Sequence, residues 1–328
     1  MNASQDPLPP EAAAPTTARP PRNLALDGLK CLLALAVVAI HTSPLIFAWP
    51  QGNYFLVNGL CRIAVPTFFV ISGFYLVPAL GDPASFARWW RRMIGLYAFW
   101  TLVYAPFFLT EPGHSATSVL TTVVFGYLQL WYIAALVVAA PLVYLAHRRL
   151  SAPQLMGMAC LLFAVGLALQ WAPLYGGVAD HHTLYRNALF MAVPFVTFGT
   201  LIRRGFIDGL SDRLQRLGLL AGFAGLAIEA TLARTYGRPN LGADVYLSLL
   251  LICPLLFNRF RRARLMGTTA SLGTLSSVIY FAHPLGIEFS RAVVHRAVGV
   301  EAFALALLGC VLLYYPLTWL SRRWSFVL

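Results

Sequence analysis

The sequence predicts an all-α, polytopic transmembrane helix bundle of about ten spans, with the N-terminus and C-terminus both cytoplasmic. Three observations carry that prediction. Of 328 residues, 59% are hydrophobic and 11% charged, whereas water-soluble domains carry about 25% charged residues. Ten apolar runs recur along the chain, and the mean hydropathy is +0.70. The arginines gather at alternating ends of those runs.

The runs predict spans at 24–46, 56–80, 89–109, 129–147, 153–171, 187–203, 214–232, 241–257, 272–291 and 301–321, each close to what a hydrocarbon core requires. Residues Met1–Arg22 are rich in Pro and Ala with no apolar core, the composition of a disordered cytoplasmic tail. The run that follows is too long for a signal peptide and carries charge, so it reads as a retained helix. No loop is long enough for a soluble domain, and 23–328 is expected to form one membrane domain. Ser115–Tyr127 is short and Thr-rich. It reads as an interfacial or re-entrant piece, because an eleventh crossing there would invert every later loop. Prolines at Pro66, Pro106, Pro141, Pro194 and Pro254 predict kinks, which membrane bundles tolerate.

Topology follows from charge. With a cytoplasmic N-terminus, seventeen arginines fall inside, among them Arg19, Arg203, Arg261 and Arg264. Only Arg186, Arg234, Arg238, Arg291 and Arg296 fall outside, with Lys30 and Arg62 in or at the spans. That is the positive-inside pattern. The net charge of +12 is therefore distributed by topology and forms no nucleic-acid patch. The five cysteines all lie in apolar runs without metal-ligand spacing, so they read as packing residues, and no metal is expected.

The first span contains groups that an anchor does not need. Asp27, Lys30 and His41 share one face of a helix, with Lys30 and His41 about 16 Å apart along the axis. Intramembrane ionisable groups are functional candidates. Lys30 near the cytoplasmic mouth suits an anionic ligand such as the phosphates of a coenzyme. His41, deeper, suits proton abstraction from a hydroxyl. An equally available reading makes Asp27 and Lys30 an i,i+3 ion pair and His41 a helix-bonded core residue. In the second span Arg62 precedes Pro66, Phe68, Phe69, Ser72 and Gly73. Arg62 can snorkel at the boundary, and Ser72 with Gly73 can permit close helix contact.

Taken together, these residues resemble the acyltransferase 3 family of integral membrane acyltransferases. The first hallmark is Leu26-Asp27-Gly28-Leu29-Lys30 followed by His41, and the second runs from Arg62 to Phe74 through Pro66, Phe68, Phe69, Ser72 and Gly73. Later echoes are Leu130-Trp131-Tyr132, Arg186-Asn187, Pro194-Phe195 with Gly199, and Ile279-Tyr280 with His283-Pro284. Lys30 is a departure, since most members carry Arg there, and Lys lacks the planar fork for a bidentate phosphate contact.

The resemblance implies O-acyl transfer, usually of acetyl, from cytoplasmic acyl-CoA. The acceptor would be a hydroxyl on an extracytoplasmic glycan, lipid-linked sugar or small molecule at a bacterial inner membrane. It implies catalytic roles for His41, as base or transient acyl carrier, and for Asp27, with donor contacts for Lys30, Arg62 and Ser72. Trp131, Asn187, His283 and Glu288 are expected to line the cavity. Glu229 and Glu288 can equally pair with outer arginines such as Arg234 or Arg291, and His181 and His182 read as solvated loop residues. The competing class is a permease for a small amino acid such as serine. Ala39–Pro44 with Arg62 to Pro66 is also similar to the membrane portion of the vancomycin-resistance serine racemases, a branch linked to serine transport.

Overall fold

The computed structural model of the chain describes residues 22–110, 115–238, 241–263, 265–268 and 271–328. The predicted tail up to residue 21, with Arg19, and Arg264 lie outside the described residues. Twelve helices are described: α1 (Leu24–Thr42), α2 (Pro50–Val57), α3 (Ala64–Leu80), α4 (Pro83–Leu109), α5 (Ala116–Phe125), α6 (Trp131–Arg149), α7 (Ala152–Gly176), α8 (Val193–Arg203), α9 (Asp212–Tyr236), α10 (Leu249–Arg262), α11 (Ser271–Val294) and α12 (Val300–Arg323). Each predicted span contains a helix, from 11 residues in α8 to 27 in α4. Among the described residues, seven helical stretches are long and apolar enough to cross a membrane: Leu24–Thr42, Pro50–Leu80, Pro83–Leu109, Leu128–Arg149, Ala152–Gly176, Asp212–Tyr236 and Val300–Arg323. The protein is a multi-pass membrane helix bundle.

Local chemistry sets the helix ends. Asn23 caps two helices at once. Its Oδ1 accepts from the Leu26 amide at 2.9 Å, opening α1, while Nδ2 donates to the Arg261 carbonyl at 2.8 Å, closing α10. α1 stops at Thr42, short of the predicted 46, because Ser43 turns left-handed at φ 45° ahead of Pro44. The predicted span 56–80 is broken: α2 ends at Val57, a 3-10 turn follows at Leu60–Ile63, and α3 begins at Ala64. The predicted span 241–257 starts late, at Leu249. Glu229 of α9 accepts from the Leu247 and Ser248 amides and the Ser248 hydroxyl, which fixes that start and leaves the preceding segment non-helical. Pro66 and Pro194 sit in first helical turns, where a missing N–H costs nothing. Pro106, Pro141 and Pro254 lie inside their helices. The bundle has one departure from all-α among the described residues. Strands β1 (Arg22–Asn23) and β2 (Met266–Gly267) pair antiparallel, with Arg22 opposite Gly267.

α3 lies at the centre and packs against α1, α4, α6, α8 and α10. Its approach to α8 depends on two glycines. A Cβ on Gly73 would lie 2.0 Å from the Val196 carbonyl oxygen, and one on Gly199 would lie 2.0 Å from that of Val70. Membrane helices associate by van der Waals packing, which small residues at the crossing allow. α11 packs against α1 on one side and α12 on the other. The short α5 buries none of its residues and lies against α4 and α6.

Candidate functional site

Beyond the C-terminal half of α1 is a cavity of about 310 Å³. Its wall includes His41 from α1, Arg62 from the 3-10 turn, Pro66 from α3, Trp131 from α6, Arg186, Asp244 and Tyr280 from α11. His41 lies in the last turn of α1, half-buried. Its imidazole forms no hydrogen bond to the protein among the described residues, so its ring nitrogens are available to a ligand or water.

Arg62 is held by Asp244 through Nη1, and donates to Asn58 Oδ1 through Nη2 at 2.8 Å. The second Asp244 oxygen faces Arg186 Nη1 at 3.6 Å. Asp244 is placed by Gln170 of α7, whose Oε1 accepts from the Asp244 and Val245 amides at 2.7 and 2.8 Å and whose Nε2 donates to the Val245 carbonyl. Burial opposes ionisation of Asp244. The Arg62 and Arg186 guanidiniums, helped by His182, outweigh it and hold the carboxyl below its ordinary range. His182, at the cavity wall, is pushed below the ordinary imidazole range by partial burial and by Arg186.

His283 of α11 is fully buried beside His41, with ring centroids 5.3 Å apart and planes tilted by 36°. The sequence explains its orientation. Pro284 has no N–H, so the Tyr280 carbonyl loses its helical partner. The His283 Nδ1–H donates to the carbonyls of Tyr280 and Ile279, at 2.9 and 3.0 Å. Its Nε2 is buried without a partner among the described residues.

The other end of α1 is separate. Asp27, 3% exposed, pairs with Lys30 at 3.0 Å and with Arg22 at 3.4 Å, and Lys30 lies 5.7 Å from the centre of the Tyr75 ring. Fourteen residues of helix separate Asp27 from His41, about 21 Å by rise. The structure therefore does not bring the two candidate catalytic residues together, and Asp27 holds cations instead. Between the two ends, Ser72 and the Tyr132 hydroxyl share a 2.6 Å hydrogen bond. The Phe68 ring contacts Tyr132 and Tyr280, closing the interior with aromatic side chains.

Of the remaining candidates, Trp131 lines the His41 cavity with the Arg186 guanidinium 5.3 Å from its ring centre. Asn187 does not reach that cavity. Its Oδ1 caps the Leu189 and Phe190 amides and its Nδ2 donates to the Thr183 and Leu184 carbonyls. These contacts start the π-helical turn Ala188–Ala192 ahead of α8. Glu288 pairs with Arg291 at 2.6 Å, away from the cavity. Glu229 caps α10 and is not paired with Arg234, whose guanidinium lies over the Tyr54 ring. Sequence reasoning missed Asp244 and Gln170, and also Gln129, which lines the cavity and donates to the Phe281 carbonyl at 3.2 Å. Asp244 is the one acid in the stretch from Gly237 to Leu249, a signal that a span drawn from 241 concealed. Arg186, read as an outer arginine within a family motif, and His182, read as a solvated loop residue, both line the cavity.

An acyltransferase-domain family model matches residues 23–320. Among curated proteins, the chain is 27% identical over 288 residues to a serine/alanine racemase of Enterococcus gallinarum, covering 81% of this chain and 41% of that protein. It is 24% identical over 292 residues to an amino-acid racemase of Enterococcus faecalis, covering 82% and 41%. The chain thus spans about two fifths of the length of these relatives. No solved structure matches. With a family match running from the cap of α1 to the last turns of α12, over the same residues that build both ends of the α1 stripe, this chain belongs to the acyltransferase 3 family.

Proposed function

We propose that this protein is a bacterial inner-membrane O-acyltransferase with ten crossings and both ends cytoplasmic. In this reading it moves an acetyl group from acetyl-CoA to a hydroxyl of an extracytoplasmic glycan, lipid-linked sugar or small acceptor. The observation that supports it is His41, an imidazole with no protein hydrogen bond among the described residues, on a cavity wall beside Arg62 and in line with Lys30 along one helix. A neutral imidazole so placed takes the acceptor hydroxyl proton. The oxygen then bonds to the thioester carbonyl carbon, the C–S bond breaks, and the departing thiolate takes the proton back from the imidazolium. Positive potential from Arg62 and Arg186 favours the oxyanion. Lys30, neutralised in part by Asp27, meets the donor phosphates at the cytoplasmic mouth. For the donor's thiol-bearing arm to reach His41, the Ser72–Tyr132 hydrogen bond and the Phe68 ring between the two ends of α1 must part.

The test uses the protein in vesicles loaded with radiolabelled acetyl-CoA, with transfer of label followed for wild type and His41→Ala. Loss of transfer by a folded His41→Ala protein is expected, and full transfer by it overturns the mechanism. A permease for a small amino acid such as serine is the second reading, suggested by the likeness to a serine/alanine racemase. It predicts serine uptake into vesicles that contain no coenzyme.

A further inference from the structure

The cavity beside His41 carries an imbalance of charge. Two guanidiniums, Arg62 and Arg186, stand on its wall against a single carboxylate among the described lining residues, Asp244. One oxygen of that carboxylate is held by Arg62, and the other faces Arg186 at 3.6 Å. The arginines are less completely used. Arg62 Nε is buried with no partner among the described residues. Arg186 stands 3.6 Å from Asp244, outside hydrogen-bond range, and its side chain is 30% exposed. It is braced over Trp131, so its orientation is set although its N–H donors remain available. Partial burial and Arg186 lower the pKa of His182 beside it, which leaves the two arginines as the standing cations of the wall. The cavity, about 310 Å³, is at the small end of ligand pockets.

We propose that this cavity selects an acceptor that carries a carboxylate as well as the reacting hydroxyl, with Arg186 as its anchor. A guanidinium fork matches a carboxylate by two parallel N–H···O bonds. An α-amino group would add a third cation to a wall where Asp244 already faces two guanidiniums. The preferred class is therefore hydroxy acids and sugar acids rather than amino acids. Placing the hydroxyl at His41 rests on the acyltransferase reading, whereas binding of the acid does not.

Binding to the full chain in nanodiscs, read by calorimetry without acetyl-CoA, tests this with matched probes: D-glucuronate against glucose, glycerate against glycerol, and L-serine. At least one acid is expected to bind 10-fold or more tightly than its neutral counterpart, and more tightly than serine. Arg186→Gln should remove that preference, and Arg186→Lys should retain most of it, since charge without the fork still attracts the anion. Arg186→Lys also controls for folding. Equal binding of acid and neutral partner, tighter binding of serine, or no binding of either acid overturns the proposal. Acid binding by a protein that transfers no acyl group overturns the acyltransferase reading and leaves this one standing.

Discussion

His41 of α1 and His283 of α11 face each other with ring centroids 5.3 Å apart. One ring is open to the cavity, and the other is locked by the carbonyl that Pro284 releases. Locking Nδ1–H on the backbone makes Nε2 of His283 the lone-pair nitrogen, an acceptor beside the candidate base. His283→Phe preserves a buried ring and removes that acceptor. Transfer is expected to fall about 10-fold with little change in thermal unfolding, the size of one positioned hydrogen bond. Wild-type initial rates from a folded His283→Phe protein would show that the ring only fills space.

For His41→Ala the expected loss is larger, about 10²–10⁴-fold in turnover, the usual share of a positioned general base. Donor binding should be unchanged, because Lys30 lies at the far end of α1. Equilibrium binding of acetyl-CoA to the variant measures this directly.

At that far end, Lys30→Ala should weaken acetyl-CoA binding about 10-fold, the loss of one charge-assisted contact, while Lys30→Arg keeps it. Lys30→Ala also leaves the buried Asp27 with Arg22 alone, so its melting temperature should drop as well. An Asp27→Asn, Lys30→Ala double variant separates the two effects by restoring stability without restoring affinity. Undiminished donor affinity in Lys30→Ala removes Lys30 from the donor site.

The α3–α8 crossing predicts a contrast among glycines. Gly73→Ala or Gly199→Ala forces a methyl into a backbone carbonyl and should cost about 1–3 kcal/mol or more. Gly28→Ala, in α1, meets nothing within 4 Å and should be neutral or slightly stabilising, as Ala favours helix. Thermal unfolding in one detergent ranks the three, and equal melting temperatures would contradict the close crossing.

Asp244 gives the pH dependence. Its native pKa is below the ordinary 3.8, so the unfolded chain binds its proton first as pH falls. The stability it contributes is complete above the ordinary carboxylate range and is lost as pH drops below 3.8 through the lowered native value. Asp244→Asn should be less stable than wild type at pH 7 and should lose less further stability on acidification to pH 3. Parallel melting curves for the two proteins across that range would remove Asp244 from the linkage.

Much of the fold was legible because helical periodicity and hydropathy are local. The ten apolar runs each contain a helix, although among the described residues seven helical stretches are long and apolar enough to cross a membrane. The Ser72-Gly73 and Pro194 to Gly199 motifs, noted as separate pieces of sequence, supply the two glycines that face each other where α3 crosses α8. The i,i+3 pair of Asp27 and Lys30 was equally visible, since both partners lie on one helix. What the sequence left open was which polar groups in an apolar setting act and which only satisfy backbone. Asn187 and Glu229 look alike as candidates, yet both cap helix starts, because free amides at a helix N-terminus take the nearest acceptor. Asp244 looked like part of a span and instead stands between two arginines.

The sequence by itself determined the helices, the polar face of α1 with Lys30 at one end and His41 at the other, and the membership of the family. Only the tertiary structure decided that His283 lies against His41, that Arg62, Asp244 and Arg186 form one charged row, and that Asp27 is remote from it. The reason is physical. A helix fixes which of its own residues share a face, whereas the partner across the gap is chosen by how helices far apart in sequence pack. Here that packing depends on small residues and on the carbonyl that a proline leaves free.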